Sequence, residues 1–242
     1  MSETIHQKKN NSWFLLWFPP VLFFLVIVAF SIYFGAQAQG DANLIAEKTA
    51  AATPYILVSV QVLLLAIQFA VFRRQGLTLS QIGWQVGARQ EAWKEILLGA
   101  VIGAPMGVLW IYVIEPILSN LQSTVGDYVP AGSLFVALGA SIIPFAIADV
   151  LLAPFVEENI YRGYGMTKLM GRFGTTGTVI ITSIFFGLLH WSGGFWYILT
   201  TAVIVGVPFA ILRIKRGSIH AVFGAHLALN LVETLLLWLV VK

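Results

Sequence analysis

Residues 13–35 read WFLLWFPPVLFFLVIVAFSIYFG, with no charged side chain. About 20 apolar residues in a helix rising 1.5 Å per residue cross a hydrocarbon core of about 30 Å. The run is long enough for that, and longer than the roughly 7–15 residues of a signal-peptide core. Lys8 and Lys9 precede it; Ala36-Gln37-Ala38 follows and offers a competing, cleavage-like reading. Six further runs have spanning character, at 54–72, 96–118, 133–155, 175–191, 195–212 and 218–241. The fifth of the seven is short, and the fourth contains Pro144, Asp149 and Pro154. Composition agrees: 10% of residues are charged and 58% hydrophobic, against about 25% charged in soluble domains. The expected fold is all-α, a polytopic transmembrane bundle of about seven spans.

Charge placement sets the expected topology. With the N-terminus in the cytoplasm, Lys8, Lys9, Arg73, Arg74, Arg89, Lys94, Arg162, Lys168, Arg172, Arg213, Lys215 and Arg216 fall inside. Only Lys48 and Lys242 fall outside, the bias of the positive-inside rule. The basic residues lie between apolar runs and form no stripe, so no nucleic-acid partner is expected despite the net charge of +3. Absence of cysteine removes disulfides and thiolate metal sites. The longest inner connection, 73–95, carries LTLSQIGW at 77–84, which reads equally as a short interfacial helix or an ordinary loop. The absence of eukaryotic targeting signals and the compact size point to a bacterial plasma membrane. One integrated membrane domain is expected, with helices and a cytoplasmic loop over 1–132 and a polar core over 133–242.

Ionisable groups inside spans are costly, so each is a functional hypothesis. They cluster late in the chain: Glu157-Glu158-x-x-x-Arg162, Phe186-x-x-x-His190, and His226-x-x-x-Asn230 with Glu233 three residues on. Glu158 and Arg162 are spaced for a helical ion pair, and His226 and Asn230 share a face. Glu157 points about 100° away from Glu158. The midpoint between Glu157 and His190 falls in Gly171-Arg172-Phe173-Gly174, a turn signal, so a hairpin brings the two to similar depth. His226 lies roughly 13 Å in from Gly217, matching that depth if the hairpin projects beyond the bilayer. Structural readings compete at each position. The Glu157–Arg162 segment is equally a helix end with one ion pair. His190 beside Trp191 is equally an outer-interface residue. His226 and Asn230 are equally helix-joining hydrogen bonders. Glu233 reads as a structural partner, and Asp149 as a packing acid or a wall of the site. Glu115 before Pro116 reads as the outer end of span three, and His220 as interfacial.

Taken together, the order and spacing of these motifs resemble the CAAX-prenyl endopeptidase and bacteriocin-processing (Abi, CPBP) family of intramembrane proteases. The resemblance covers roughly 133–235. It implies a polar pocket in the C-terminal four helices, open to the cytoplasm, and a peptide or protein substrate, membrane-bound or prenylated. It implies that Glu157 and His190 activate water, that His226 and Asn230 support the oxyanion, and that Glu158 and Arg162 organise the first motif.

Peptide hydrolysis needs an activated water and a stabilised oxyanion, which this set of residues can supply without a cofactor. Two histidines and a glutamate also suffice for a catalytic zinc, so a divalent metal is the open alternative, although no His-Glu-x-x-His signature is present. The rival class is a non-enzymatic membrane protein that binds a bacteriocin or partner and confers immunity without cleavage. A transporter fits less well, since no paired broken helices recur in two halves. Oligomeric state is not legible.

Overall fold

The computed structural model describes residues 13–85, 87, 91–129 and 142–240. Lys8, Lys9, Arg89, Lys242 and the start of the fourth expected span at 133–141 lie outside the described residues.

The apolar runs fold into six helices long and apolar enough to cross a membrane: α1, Phe14–Gln37; α2, Ala42–Arg74; α3, Ala92–Thr124; α4, Ile142–Leu189; α5, Phe195–Arg216; and α6, His220–Leu239. The chain is an integral membrane protein of all-α class, with no strand among the described residues. Helix α4 accounts for two of the seven expected spans. Its 48 residues would reach about 72 Å if straight, more than twice the hydrocarbon thickness. Gly174 adopts φ 64°, ψ −175° and breaks the helix, a conformation that suits glycine. The limbs 142–173 and 175–189 then run back along each other. Tyr161 and Phe186 rings meet at 5.7 Å, Arg162 lies 4.0 Å from the Phe186 ring, and Gly165 sits against Thr182. Each pair is centred on Gly174 in sequence, as an antiparallel hairpin requires.

Four stretches of helix widen to π geometry among the described residues: Trp110–Ile114, Ile147–Leu152, Glu158–Gly165 and Thr201–Gly206. Three of them stop two residues before a proline, at Pro116, Pro154 and Pro208. Proline removes an amide and crowds the preceding turn, and a wider turn relieves the crowding. The remaining stretch, Glu158–Gly165, has no such proline and carries the first motif.

Helices α3 and α6 pack backbone to backbone. Gly99, Gly103 and Gly107 recur every fourth residue on α3. A Cβ at Gly99 or Gly103 would collide with the carbonyl of Ala221 or Ala225, and one at Gly224 with the carbonyl of Ile96. Lipid tails give helices no hydrophobic reason to associate, so small residues that permit close approach drive the contact.

The 77–84 stretch is a loop, not an interfacial helix. Its Ile82 is fully buried in the bundle, Trp84 Nε1 donates to Asn159 Oδ1 at 2.5 Å, and the Ile219 amide donates to the Gly83 carbonyl at 2.9 Å. The loop plugs the end of the bundle that holds Arg73, Arg74, Arg213, Lys215 and Arg216. His220, at the same end, is half-buried with its ring edge-on to Trp84 at 5.0 Å.

Candidate active site

Glu158 and Arg162 lie one turn apart on the first limb of α4 and are almost completely buried, at 0% and 1% exposure. Arg162 Nη1 donates to Glu158 Oε1 at 3.3 Å and Nη2 to the Gly206 carbonyl at 3.2 Å. Its guanidinium lies over Phe186 and Phe209, at 4.0 and 5.6 Å. Planar charge, a fork of donors and aromatic faces suit arginine in a buried pair. His226 completes the group: its Nδ1 lies 2.7 Å from Glu158 Oε1. A carboxylate accepts, so Nδ1 carries the proton and Nε2 keeps a lone pair. That Nε2 lies 4.0 Å from Glu157 Oε2.

Glu157 faces the other way, about 100° around the helix. It borders a cavity of about 460 Å³, and its Oε2 has no hydrogen-bond partner among the described residues. His190, just past the end of the second limb, borders the same cavity. The Phe186 carbonyl fixes its tautomer: Nδ1 donates to that oxygen at 2.8 Å, which leaves Nε2 as the acceptor. His190 is therefore at once near a helix end, as its neighbour Trp191 suggests, and on the cavity wall.

Glu157 is about 25 Å along the helix from Gly174, and His226 about 13 Å from Gly217. Contact between them puts the hairpin tip about 12 Å beyond the 217–219 turn. From the depth of Glu157 the cavity runs away from the basic end, toward Glu233 and Leu237 of α6 and Thr49 and Thr53 of α2. Basic loops inside and a pocket open to the cytoplasm were expected together. The described cavity instead occupies the half of the bundle opposite the basic loops.

The motif residues thus converge but divide. Glu157 and His190 border the cavity; Glu158, Arg162 and His226 lie packed behind it. Asn230 is tied sideways, its Nδ2 donating to the Asp149 carbonyl at 2.8 Å, while Thr234 Oγ1 donates to Asp149 Oδ2 at 3.0 Å. These two bonds clip α6 to α4. Asp149 is a wall of the cavity, and so is Glu233. Helices α1, α2 and α3 close the rest, through residues such as Phe23, Gln61 and Glu115.

Several cavity and support residues escaped the sequence. Glu115 does not end α3: the helix continues to Thr124, and the carboxylate is buried against the cavity. Its position inside an apolar run was the available signal. Tyr197 lines the cavity beside His190, with ring centroids 6.0 Å apart. Gln122 and Asp127 hold the turn that carries His190. Gln122 Nε2 donates to the Gly193 carbonyl at 2.9 Å, and Asp127 accepts from the Phe195 and Trp196 amides at 2.8 and 3.2 Å. Tyr128 Oη donates to the Trp191 carbonyl. Burial works against the charge on Asp127, but the Phe195, Trp196 and Tyr128 amides outweigh it and hold this carboxyl below its ordinary value. No local pattern announces such contacts between distant segments.

Among the described residues, no three histidine, aspartate or glutamate side chains are grouped to hold a metal ion. Each histidine bonds its Nδ1, to the Phe186 carbonyl and to Glu158, and keeps Nε2 free.

Residues 139–232 match the family model of the Rce1-like type II CAAX prenyl endopeptidases. Glu157, Glu158, Arg162, His190, His226 and Asn230 all fall within the match; α1, α2 and α3 lie before it. No curated protein and no solved structure matches the chain.

Proposed function

We propose, from the match of residues 139–232 to the Rce1-like type II CAAX prenyl endopeptidase model, that this chain is an intramembrane endopeptidase in which Glu157 and His190 activate water. The observation that carries the reading is the pairing of an unpartnered Glu157 Oε2 with a cavity-facing His190 whose tautomer leaves Nε2 free to accept. Water held between them gives up a proton as its oxygen bonds to the carbonyl carbon of the scissile peptide. The carbonyl electron pair moves onto oxygen, giving a tetrahedral oxyanion. Collapse of that species re-forms the carbonyl and breaks the C–N bond, and the proton taken from water passes to the leaving amine. The second N–H of Asn230 is the proposed oxyanion donor, joined by His226 Nε2 when that ring is protonated, its Nδ1–H staying on Glu158. Glu158 and Arg162 hold His226 in place. The substrate is a membrane-bound peptide segment.

The chemistry is read as metal-free. The test is cleavage of membrane-anchored peptides by purified protein in lipid, with Glu157→Ala and His190→Ala beside the native chain and chelator present or absent. Turnover by the native chain that both variants lose and chelator leaves intact is the expected result. Native-like turnover in both variants refutes water activation by Glu157 and His190. Loss to chelator with recovery on adding zinc replaces water activation by Glu157 with activation by metal.

The N-terminus and the 73–95 loop are read as cytoplasmic from their positive charge. Ser80→Cys should then label from the cytoplasmic side and Ser123→Cys from the other, and the cavity would lie toward the outer leaflet. The reverse labelling would turn the cavity toward the cytoplasm.

A further inference from the structure

Among the described residues, four carboxylates border the cavity, and no lysine or arginine does. Glu157 belongs to the proposed chemistry. Glu115, Asp149 and Glu233 come from three different helices and have no role in it. Glu115 is only 6% exposed, yet it has neither a hydrogen-bond partner nor a counter-ion among the described residues. Tyr197 lines the same cavity as the acids. A buried, unpaired carboxylate in a membrane protein is costly and invites a functional explanation.

We propose that Glu115, Asp149 and Glu233 form a subsite for a cationic side chain, lysine or arginine, of the peptide whose bond Glu157 and His190 attack; the inference rests on the endopeptidase reading. An organic cation is favoured over a metal ion because no three of the described acids and histidines are close enough together to share one ion. A guanidinium or ammonium on a long stem carries several donors and satisfies acids spread around a cavity. The spacing gives the substrate register. Asp149 lies about 12 Å along α4 from Glu157, and Glu233 about 10 Å along α6 from His226. An extended peptide advances roughly 3.3–3.6 Å per residue. The basic residue therefore falls about two to four positions from the scissile bond, its own side-chain length shortening the backbone distance. A cavity of about 460 Å³ has room for a few side chains of that size.

The test has two arms, both on the full chain in lipid nanodiscs. In the first, n-hexylguanidinium and n-hexanol are compared for their effect on thermal unfolding. The guanidinium should stabilise the native protein and the alcohol should not. The Glu115→Gln/Glu233→Gln double variant should need at least about tenfold more guanidinium for the same shift. Equal responses to the two probes, or an undiminished response in the double variant, would overturn the subsite. In the second arm, palmitoylated peptides differing only in arginine, leucine or glutamate at scanned positions are offered to the native chain. Arginine two to four residues from the cleaved bond should raise cleavage by about tenfold over leucine, with glutamate poorest. Glu157-dependent cleavage indifferent to charge leaves the protease reading standing and removes the subsite. Guanidinium binding through Glu115 and Glu233 without Glu157-dependent cleavage does the reverse.

Discussion

On one side of the first limb of α4, Glu158, Arg162 and His226 form a closed brace; on the other, Glu157 and His190 border open space. The two groups share a motif and a depth, and Glu157 and Glu158 are consecutive residues. In the brace, Glu158 Oε1 accepts from both Arg162 and His226 Nδ1–H, and Arg162 gives a second N–H to the Gly206 carbonyl; Glu158 Oε2, like Glu157 Oε2, has no partner among the described residues. The cavity wall keeps Glu157 Oε2 and His190 Nε2 unspent. Motif membership therefore does not equal contact with substrate. A helix separates neighbouring side chains by about 100°, enough to send one carboxylate to structure and the next to chemistry.

The difference can be broken by substitution. The largest effect is expected at the cavity wall. Glu157→Ala and His190→Ala should each lower turnover by about 10²–10⁴-fold, the usual weight of a proton-transfer group, with little change in thermal unfolding. A strong fall in stability instead would erase the distinction from the brace.

Next comes the brace itself. Glu158→Ala leaves Arg162 charged and unpaired in the bundle, a loss typically of about 3–5 kcal/mol. Unfolding in detergent should report it directly. The apolar double variant Glu158→Leu/Arg162→Met should recover much of that stability while turnover stays low, because His226 has lost its partner. A double variant as unstable as the single one would show that the pair does more than cancel charge.

Asn230 lies between the two classes and sharpens the border. A transmembrane helix–helix hydrogen bond averages about 0.6 kcal/mol, so Asn230→Ala should cost little stability. Loss of one oxyanion donor should slow turnover by about 10²–10³-fold. A rate effect no larger than the stability effect would make Asn230 only the clip between α6 and the Asp149 carbonyl.

The smallest effect belongs to the latch that carries His190. Asp127 has a depressed pKa in the folded chain, so its stabilisation is present above its unfolded value of about 3.9 and fades as pH falls through the lower folded value. Hydrogen exchange at the Phe195 and Trp196 amides should quicken below about pH 4 in the native chain. In Asp127→Asn the same amides should lose this pH dependence.

Much of the fold was legible because lipid demands long apolar helices, and the site because charge inside them is rare. The Gly171–Gly174 turn and the shared depth of Glu157 and His190 followed from counting residues. Facing did not follow. In a bilayer the lipid side of α3 is as apolar as its packed side, so hydropathy could not show that Gly99, Gly103 and Gly107 meet α6, although their spacing was there to be read. Glu115 before Pro116 reads in the sequence as the outer end of span three; the wide turn at Trp110–Ile114 lets α3 continue past that proline to Thr124. The latch from Gln122 and Asp127 to the 190–196 turn joins segments some 70 residues apart, as the separations of 68–71 positions show.

The glycine row on α3 also determines which parts of the molecule can move. Sliding α3 by one residue would drive Leu98, Ile102 and Met106 into the α6 backbone, where only hydrogen atoms now fit. The α3–α6 pair is therefore a keel, and His226 is registered against it. Helix α1 has no such glycine row, and its Phe23, Val26 and Phe30 close one side of the cavity. A substrate arriving within the bilayer would reach the cavity past that flank.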